Sequence, residues 1–214
     1  MLELNKIYNM DCIEGMKQID DNSIDLVLTD PPYGINKEGI INDENLDMYY
    51  KTLPEINRVL KDNTFFVTFA SIGNMPQFFY NNPFKYRWQY IVYTNNGMVR
   101  GSLGFNNYQS ILVFQKGDAK LSKPIRDVKE VFTTSKQCSK RIHPTEKRLD
   151  VCLNLINAFS KENNVVLDLF SGSGVIPLSC KQLKRDFIGF EIDKEYYNKS
   201  LEKICNYPIR IDKY

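Results

Sequence analysis

Seven short apolar runs recur along the chain, and helical periods fill several of the gaps between them. This alternation is what most constrains the architecture. The runs "KIYN", "IDLVLTD", "FFVTFA", "WQYIVYT", "SILVFQK", "VVLDLF" and "DFIGFEI" are rich in β-branched and aromatic residues and read as strands. In "ENLDMYYKTLPEINRVLKDN", Leu46, Tyr49, Leu53, Ile56, Val59 and Leu60 fall at helical spacing, with Pro54 expected to kink or restart the helix. "PTEKRLDVCLNLINAFSK" and "KEYYNKSLEKIC" read the same way, with Pro144 fitting a first helical position. The pattern predicts an α/β fold: a doubly wound, mostly parallel sheet with helices on both faces. Neither a repeat nor a long linker interrupts it, so residues 1–214 read as a single domain. Residues 117–142 are lysine-rich with weak periodicity and are expected to form loops.

Composition excludes several classes. No apolar run approaches the ~20 residues that span a bilayer, and the opening "MLELNKIYNMDC" lacks a signal-peptide layout. A cytoplasmic protein without a membrane partner is expected. The five cysteines, at 12, 138, 152, 180 and 205, are odd in number and form no Cys-x-x-Cys pair, and the chain has one histidine. Neither a disulfide framework nor a metal site is expected. The net charge of +2 conceals a division: residues 1–62 hold 6 basic and 13 acidic residues, whereas residues 63–148 hold 13 basic and 4 acidic ones. That basic middle also carries Tyr80, Tyr86, Trp88, Tyr90, Tyr93, Phe105 and Tyr108. Basic residues among aromatics suit a polyanion with stackable bases, although composition alone fits a solvated face beside core aromatics equally well. Trp88 and its neighbours are expected in the core.

Two stretches carry chemistry. In "SIDLVLTDPPYGIN" an apolar strand ends at Asp30, because Pro31 and Pro32 cannot extend a ladder and each restricts the residue before it. A stiff loop then projects a carboxylate and the Tyr33 ring from the strand end. In isolation this is equally a tight turn with a surface tyrosine. In "VVLDLFSGSGVIPLSCKQLKRDFIGFEIDKEYY" a strand ends at Asp168, a loop with Gly172 and Gly174 opens a helix, and a second strand ends at Glu191. Glycines permit close approach of backbone to a ligand, and an acid about 20 residues on suits ribose hydroxyls. The spacing is neither the dinucleotide fingerprint nor a P-loop. A nucleoside ligand is the reading, with a plain tight turn as the alternative.

Together with "HPTEK" at residues 143–147, the motifs "DPPY", "DLFSGSG" and "GFEID" resemble the S-adenosylmethionine-dependent amino-methyltransferases of DNA. Their order is similar to the permuted, beta-class subgroup, and the resemblance runs from Asp11 to about Tyr197. It implies a cytoplasmic enzyme encoded by a prokaryote, phage or mobile element, with or without a restriction partner. Double-stranded DNA is the implied partner, no metal ion is involved, and a homodimer is left open. S-adenosylmethionine would lie against Phe170, Ser171, Gly172 and Gly174, with Asp168 near its methionine moiety and Glu191 on the ribose. Asp11 and Cys12 match the position flanking the adenine ring; Asp11 equally suits a helix cap. His143, Pro144, Thr145 and Lys147 match the segment closing over the methionine end. Arg148 stands where the family often has proline, and the DNA-recognition region is reduced to the basic stretch at residues 116–142.

The cluster at residues 30–33 suits methylation of an exocyclic amine, whose lone pair is delocalised into the base. The Asp30 carboxylate and the Pro31 carbonyl supply acceptors for both amino hydrogens, and Pro31 and Pro32 hold them in place. Tyr33 would stack on a base flipped from the duplex, and Asp30 would also border the cofactor. Aspartate at the head of this motif resembles the adenine-N6 enzymes, serine the cytosine-N4 enzymes, and asparagine related RNA enzymes. Adenine-N6 methylation is therefore expected. Cytosine-N4 methylation is the alternative, with a non-catalytic nucleic-acid- or cofactor-binding module as the rival from another class.

Overall fold

The computed structural model describes residues 2–36, 38–94, 99–100, 104–121, 128–130 and 146–207. In chain order these form β1 (Lys6–Tyr8), α1 (Cys12–Met16), β2 (Ile24–Thr29), α2 (Asp47–Val59), β3 (Leu60–Ala70), a 3-10 turn (Met75–Phe79) and β4 (Lys85–Thr94). There follow β5 (Val99–Arg100), β6 (Phe105–Asn106), β7 (Tyr108–Lys116), β8 (Val128–Glu130), α3 (Leu149–Phe159), β9 (Val165–Asp168), α4 (Val175–Gln182), β10 (Asp186–Phe190) and α5 (Lys194–Asn206). All seven predicted strands are present.

Eight of the described strands form one sheet in the order β1-β10-β9-β2-β3-β7-β4-β8. Every neighbouring pair is parallel except β3 with β7 and β7 with β4. The central strand β2 is covered on both faces, so its sequence "IDLVLT" is a nearly continuous apolar run rather than an alternation. Leu26 and Leu28 meet residues of α3 and α4 on one face, whereas Val27 packs with residues of α1 and α2 on the other. The doubly wound reading holds.

Four expectations need correction. Helix α2 runs through Pro54 without restarting there. Burial of Tyr49, Leu53 and Ile56 along its inner stripe outweighs the one hydrogen bond that proline removes. Helix α3 begins at Leu149 with Arg148 as an extended N-cap, so Pro144 is not its first residue. Within the lysine-rich segment, Val128–Glu130 is a strand, paired in parallel with Val92, Tyr93 and Thr94 of β4. Trp88 is 60% exposed and Tyr80 64% exposed, whereas Tyr90 is buried. Phe159, the last residue of α3, packs edge-on against Phe65 and Tyr90, and Trp88 lies outside that contact.

Candidate active site

The ends of β2, β9, β10 and β1 lie side by side along one edge of the sheet, where doubly wound folds bind ligands. Strand β2 stops at Thr29, and Asp30 and Tyr33 just beyond it form a closed polar cluster with Lys147 and Gln109. The Tyr33 hydroxyl donates to Asp30 Oδ1 at 2.5 Å, and Lys147 Nζ lies 2.7 Å from Asp30 Oδ2. Lys147 also donates to the Tyr33 oxygen at 3.0 Å, and Gln109 Nε2 approaches it at 3.4 Å. Burial, reinforced by the neighbouring Asp30 charge, pushes the Tyr33 phenol well above its usual range. Tyr33 therefore remains a proton donor.

The loop itself is pinned from both sides. Buried Asp43 accepts from the Tyr33 and Gly34 amides at 2.5 and 2.9 Å, and Asn74 Nδ2 donates to their carbonyls at 2.8 and 3.2 Å. Gly34 has φ +69°, and a Cβ there would meet the Asn45 backbone at 2.9 Å. Asp43, Asn74 and Gln109 were not singled out from the sequence. Asp43 lies ten residues from Tyr33, and Asn74 and Gln109 lie much farther along the chain; no local pattern marks any of them.

The end of β9 is tied to that of β2. Thr29 Oγ1 donates to Asp168 Oδ1 at 3.3 Å and accepts from the Leu169 amide at 3.2 Å. Asp168 is 1% exposed, and burial raises its carboxyl to about 7, with the nearby Asp30 charge acting in the same direction. Its Oδ2 has no hydrogen-bond partner among the described residues. A buried acceptor left open beside a glycine loop fits the donor groups of an amino-acid moiety.

The loop after Asp168 is held by its neighbours in the sheet. The Ser171 amide donates to the Phe190 carbonyl at 2.8 Å, and the Gly172 amide donates to Glu191 Oε2 at 2.7 Å. Glu191 Oε1 accepts from the Asp193 amide at 2.8 Å, and burial raises this carboxyl. Gly174 has φ +74°, and a Cβ on it would meet Ser200 of α5 at 2.9 Å. Here glycine is required by both backbone and space.

An open pocket lies alongside, lined by Met10, Asp11 and Cys12 from the turn after β1, by Leu169 and Phe170, and by Phe190, Glu191 and Ile192. Pro32, Ile41, Asn42 and Met48 close its other wall. Of the predicted site residues, Asp11, Cys12, Pro32, Phe170 and Glu191 thus border one cavity. Asp11 also caps α1, accepting from the Ile13 and Glu14 amides at 2.8 and 3.2 Å, so the cap reading of it holds. Burial, with Asp11 alongside, pushes the Cys12 thiol up to about 12, which keeps it unreactive. Ser171, Gly172 and Gly174 shape the loop, and Asp168 lies buried at the strand end from which it departs. Lys147 packs on Asp30 instead of lining the pocket, and His143, Pro144 and Thr145 lie outside the described residues.

A doubly wound sheet with a glycine loop, a neighbouring acid and a buried carboxylate at the adjacent strand end defines the Rossmann-like methyltransferase architecture. Solved structures agree. The M1.HpyAVI–SAM complex superposes with a TM-score of 0.71 at 26% identity, covering 94% of this chain and 99% of that one. The cytosine-N4-specific PvuII DNA methyltransferase shares the fold at a TM-score of 0.75 and 18% identity, covering 94% of this chain and 90% of that one. The chain belongs to the N6/N4 family of DNA methylases, whose sequence model matches residues 24–202. Among its relatives, the type II methyltransferase M.HpaI of Haemophilus parainfluenzae is 29% identical, over 90% of this chain and 71% of that protein. The putative methylase YubD of Escherichia coli (strain K12) is 27% identical, over 94% and 91%. Among the described residues no cluster suits a metal ion, and no helix is long and apolar enough to cross a membrane.

Proposed function

We propose that this protein transfers a methyl group from S-adenosylmethionine to the N6 amine of adenine in double-stranded DNA, acting on a base flipped out of the helix. The carrying observation is the position of Asp30: a carboxylate at the end of the central strand, beside Asp168 and next to Pro32 of the pocket wall. S-adenosylmethionine supplies an electrophilic sulfonium methyl. Glu191, Asp11 and Phe170 would hold its nucleoside, and Asp168 Oδ2 its amino group. Asp30 and the Pro31 carbonyl would accept the two amine hydrogens and favour the pyramidal nitrogen whose lone pair attacks. Transfer would form the carbon–nitrogen bond and break the carbon–sulfur bond, S-adenosylhomocysteine leaving as the neutral thioether, and the surplus amine proton would pass through the hydrogen-bonded Asp30 carboxylate to water. Tyr33, once released from Asp30, offers its ring to the extruded base.

Aspartate at residue 30 supports adenine over cytosine. The test is labelled methyl transfer to DNA from a methylation-free host, followed by modified-base detection. N6-methyladenine is expected. N4-methylcytosine would favour the alternative base, and cofactor binding without transfer would favour a non-catalytic module.

A further inference from the structure

The closed cluster around Asp30 contains a charge that the transfer chemistry does not itself require. Lys147 is 8% exposed, and its ammonium lies 2.7 Å from Asp30 Oδ2 and 3.0 Å from the Tyr33 oxygen. It also sits 5.2 Å from the Tyr33 ring centre and 5.0 Å from that of Phe69. Desolvating an ammonium is costly, so its placement must be enforced by the surrounding structure. It is enforced on both sides. The preceding residue, Glu146, pairs with Lys203 of α5 with both side chains nearly buried. The following residue, Arg148, forms a two-pronged contact with Asp150 at 3.0 and 2.7 Å. Lys147 is thus clamped between two ion pairs and directed onto the acid.

We propose that Lys147 is a positioning residue for methyl transfer: it grips Asp30 by Oδ2 so that Oδ1 faces the target amine once the Tyr33 hydroxyl leaves that oxygen. The inference rests on the proposed function, and it separates Lys147 from the cofactor contacts that the sequence motif suggested. In the free protein the Tyr33 hydroxyl occupies the acceptor that the amine would use. When the ring turns to meet the base, Lys147 alone among the described residues still fixes the carboxylate plane. Among the described residues, the charged and titratable groups around Asp30 are Lys147 from the segment before α3, Tyr33 on its own loop, Asp168 at the end of β9 and Cys152 of α3. Lys147 is the only cation among them.

The experiment compares Lys147→Met, which keeps the length of the side chain against Phe69 and Tyr33 but removes its charge, with Lys147→Arg. Two quantities are measured on folded protein: cofactor affinity by calorimetry, and the single-turnover rate at saturating cofactor and DNA. Affinity should stay near wild type in both variants, while the rate falls about a hundredfold in Lys147→Met, the scale of a small misplacement of a catalytic group. Lys147→Arg should recover most of that loss. An unchanged rate in Lys147→Met overturns the proposal, as does weakened cofactor binding with a full rate at saturation. If Lys147→Met does not fold, Lys147→Gln takes its place. Should the wild-type protein transfer no methyl to DNA, the proposed function fails, yet the positioning role remains testable in the free protein. Exchange of the Tyr33 hydroxyl proton with water, followed by NMR, should then quicken at least about tenfold in Lys147→Met, the scale of losing a hydrogen bond to a charged group. Unchanged exchange overturns it.

Discussion

Asp30 cannot be altered alone without consequence, because its removal strands a buried ammonium and a buried phenol. Asp30→Ala should lower single-turnover transfer by about a hundredfold or more, the usual effect of losing one positioned group. It should also destabilise the fold by about 3–5 kcal/mol, since Lys147 loses its counter-ion. Adding Lys147→Met should restore the melting temperature but not the rate, and thermal denaturation beside labelled transfer checks both. Asp168 gives a second expectation. Its folded value, about 7, lies above that of the unfolded chain, so its contribution to stability is complete at acid pH and is lost as pH rises through 7. A bound ammonium would favour the ionised form, so cofactor binding near pH 7 should release a proton and strengthen from pH 6 to 8. Calorimetry in buffers of different ionisation enthalpy measures the release, and Asp168→Asn should abolish it. Asp30 and Tyr33 are legible in the sequence because two prolines mark the strand end beside them, and Glu191 because it ends a strand about 20 residues after a glycine loop. Asp43, Asn74 and Gln109 are not, because each reaches Tyr33 only through the fold.

The element that joins the two halves of the site is α5. It carries Ser200, against which Gly174 of the glycine loop packs, and Lys203, which pairs with Glu146 beside Lys147. Gly174→Ala would force a left-handed backbone on a residue with a side chain and drive its Cβ into Ser200. A cost of about 1–3 kcal/mol is expected, with weaker cofactor binding, and denaturant unfolding together with calorimetry measures them. Gly15, by contrast, sits where a Cβ would strike the Phe190 ring, so there the requirement is space alone. Strands were more legible than helix starts. Apolar runs mark the strands directly, whereas α3 begins at Leu149 after an extended Arg148, a start that no cap residue marks in the sequence.

At the scale of the molecule, the first lysine of the basic stretch has a structural place. Lys116 lies at the end of β7 away from the site, where its ammonium donates to Asn22, Asn57 and Leu60 at 2.9, 2.8 and 2.7 Å. It is a structural residue, so Lys116→Ala should lower stability and leave DNA binding alone. Neutralising Lys123, Lys136, Lys140 and Arg141 should instead flatten the dependence of log affinity on log salt, by about 0.9 for each phosphate left without its cation. Fluorescence anisotropy across a salt series distinguishes the two. What composition and periodicity did not disclose is the order of the strands: β10 and β9 insert between β1 and β2, although they follow them by more than a hundred positions in the chain. That interleaving sets a schedule for synthesis. A ribosome releases residues 6–29 long before residues 165–190 exist, so the first strands emerge with the space between them unfilled. Until β9 and β10 enter that space, Asp30 has neither Asp168 nor the glycine loop beside it, and an interrupted nascent chain carries only half a site.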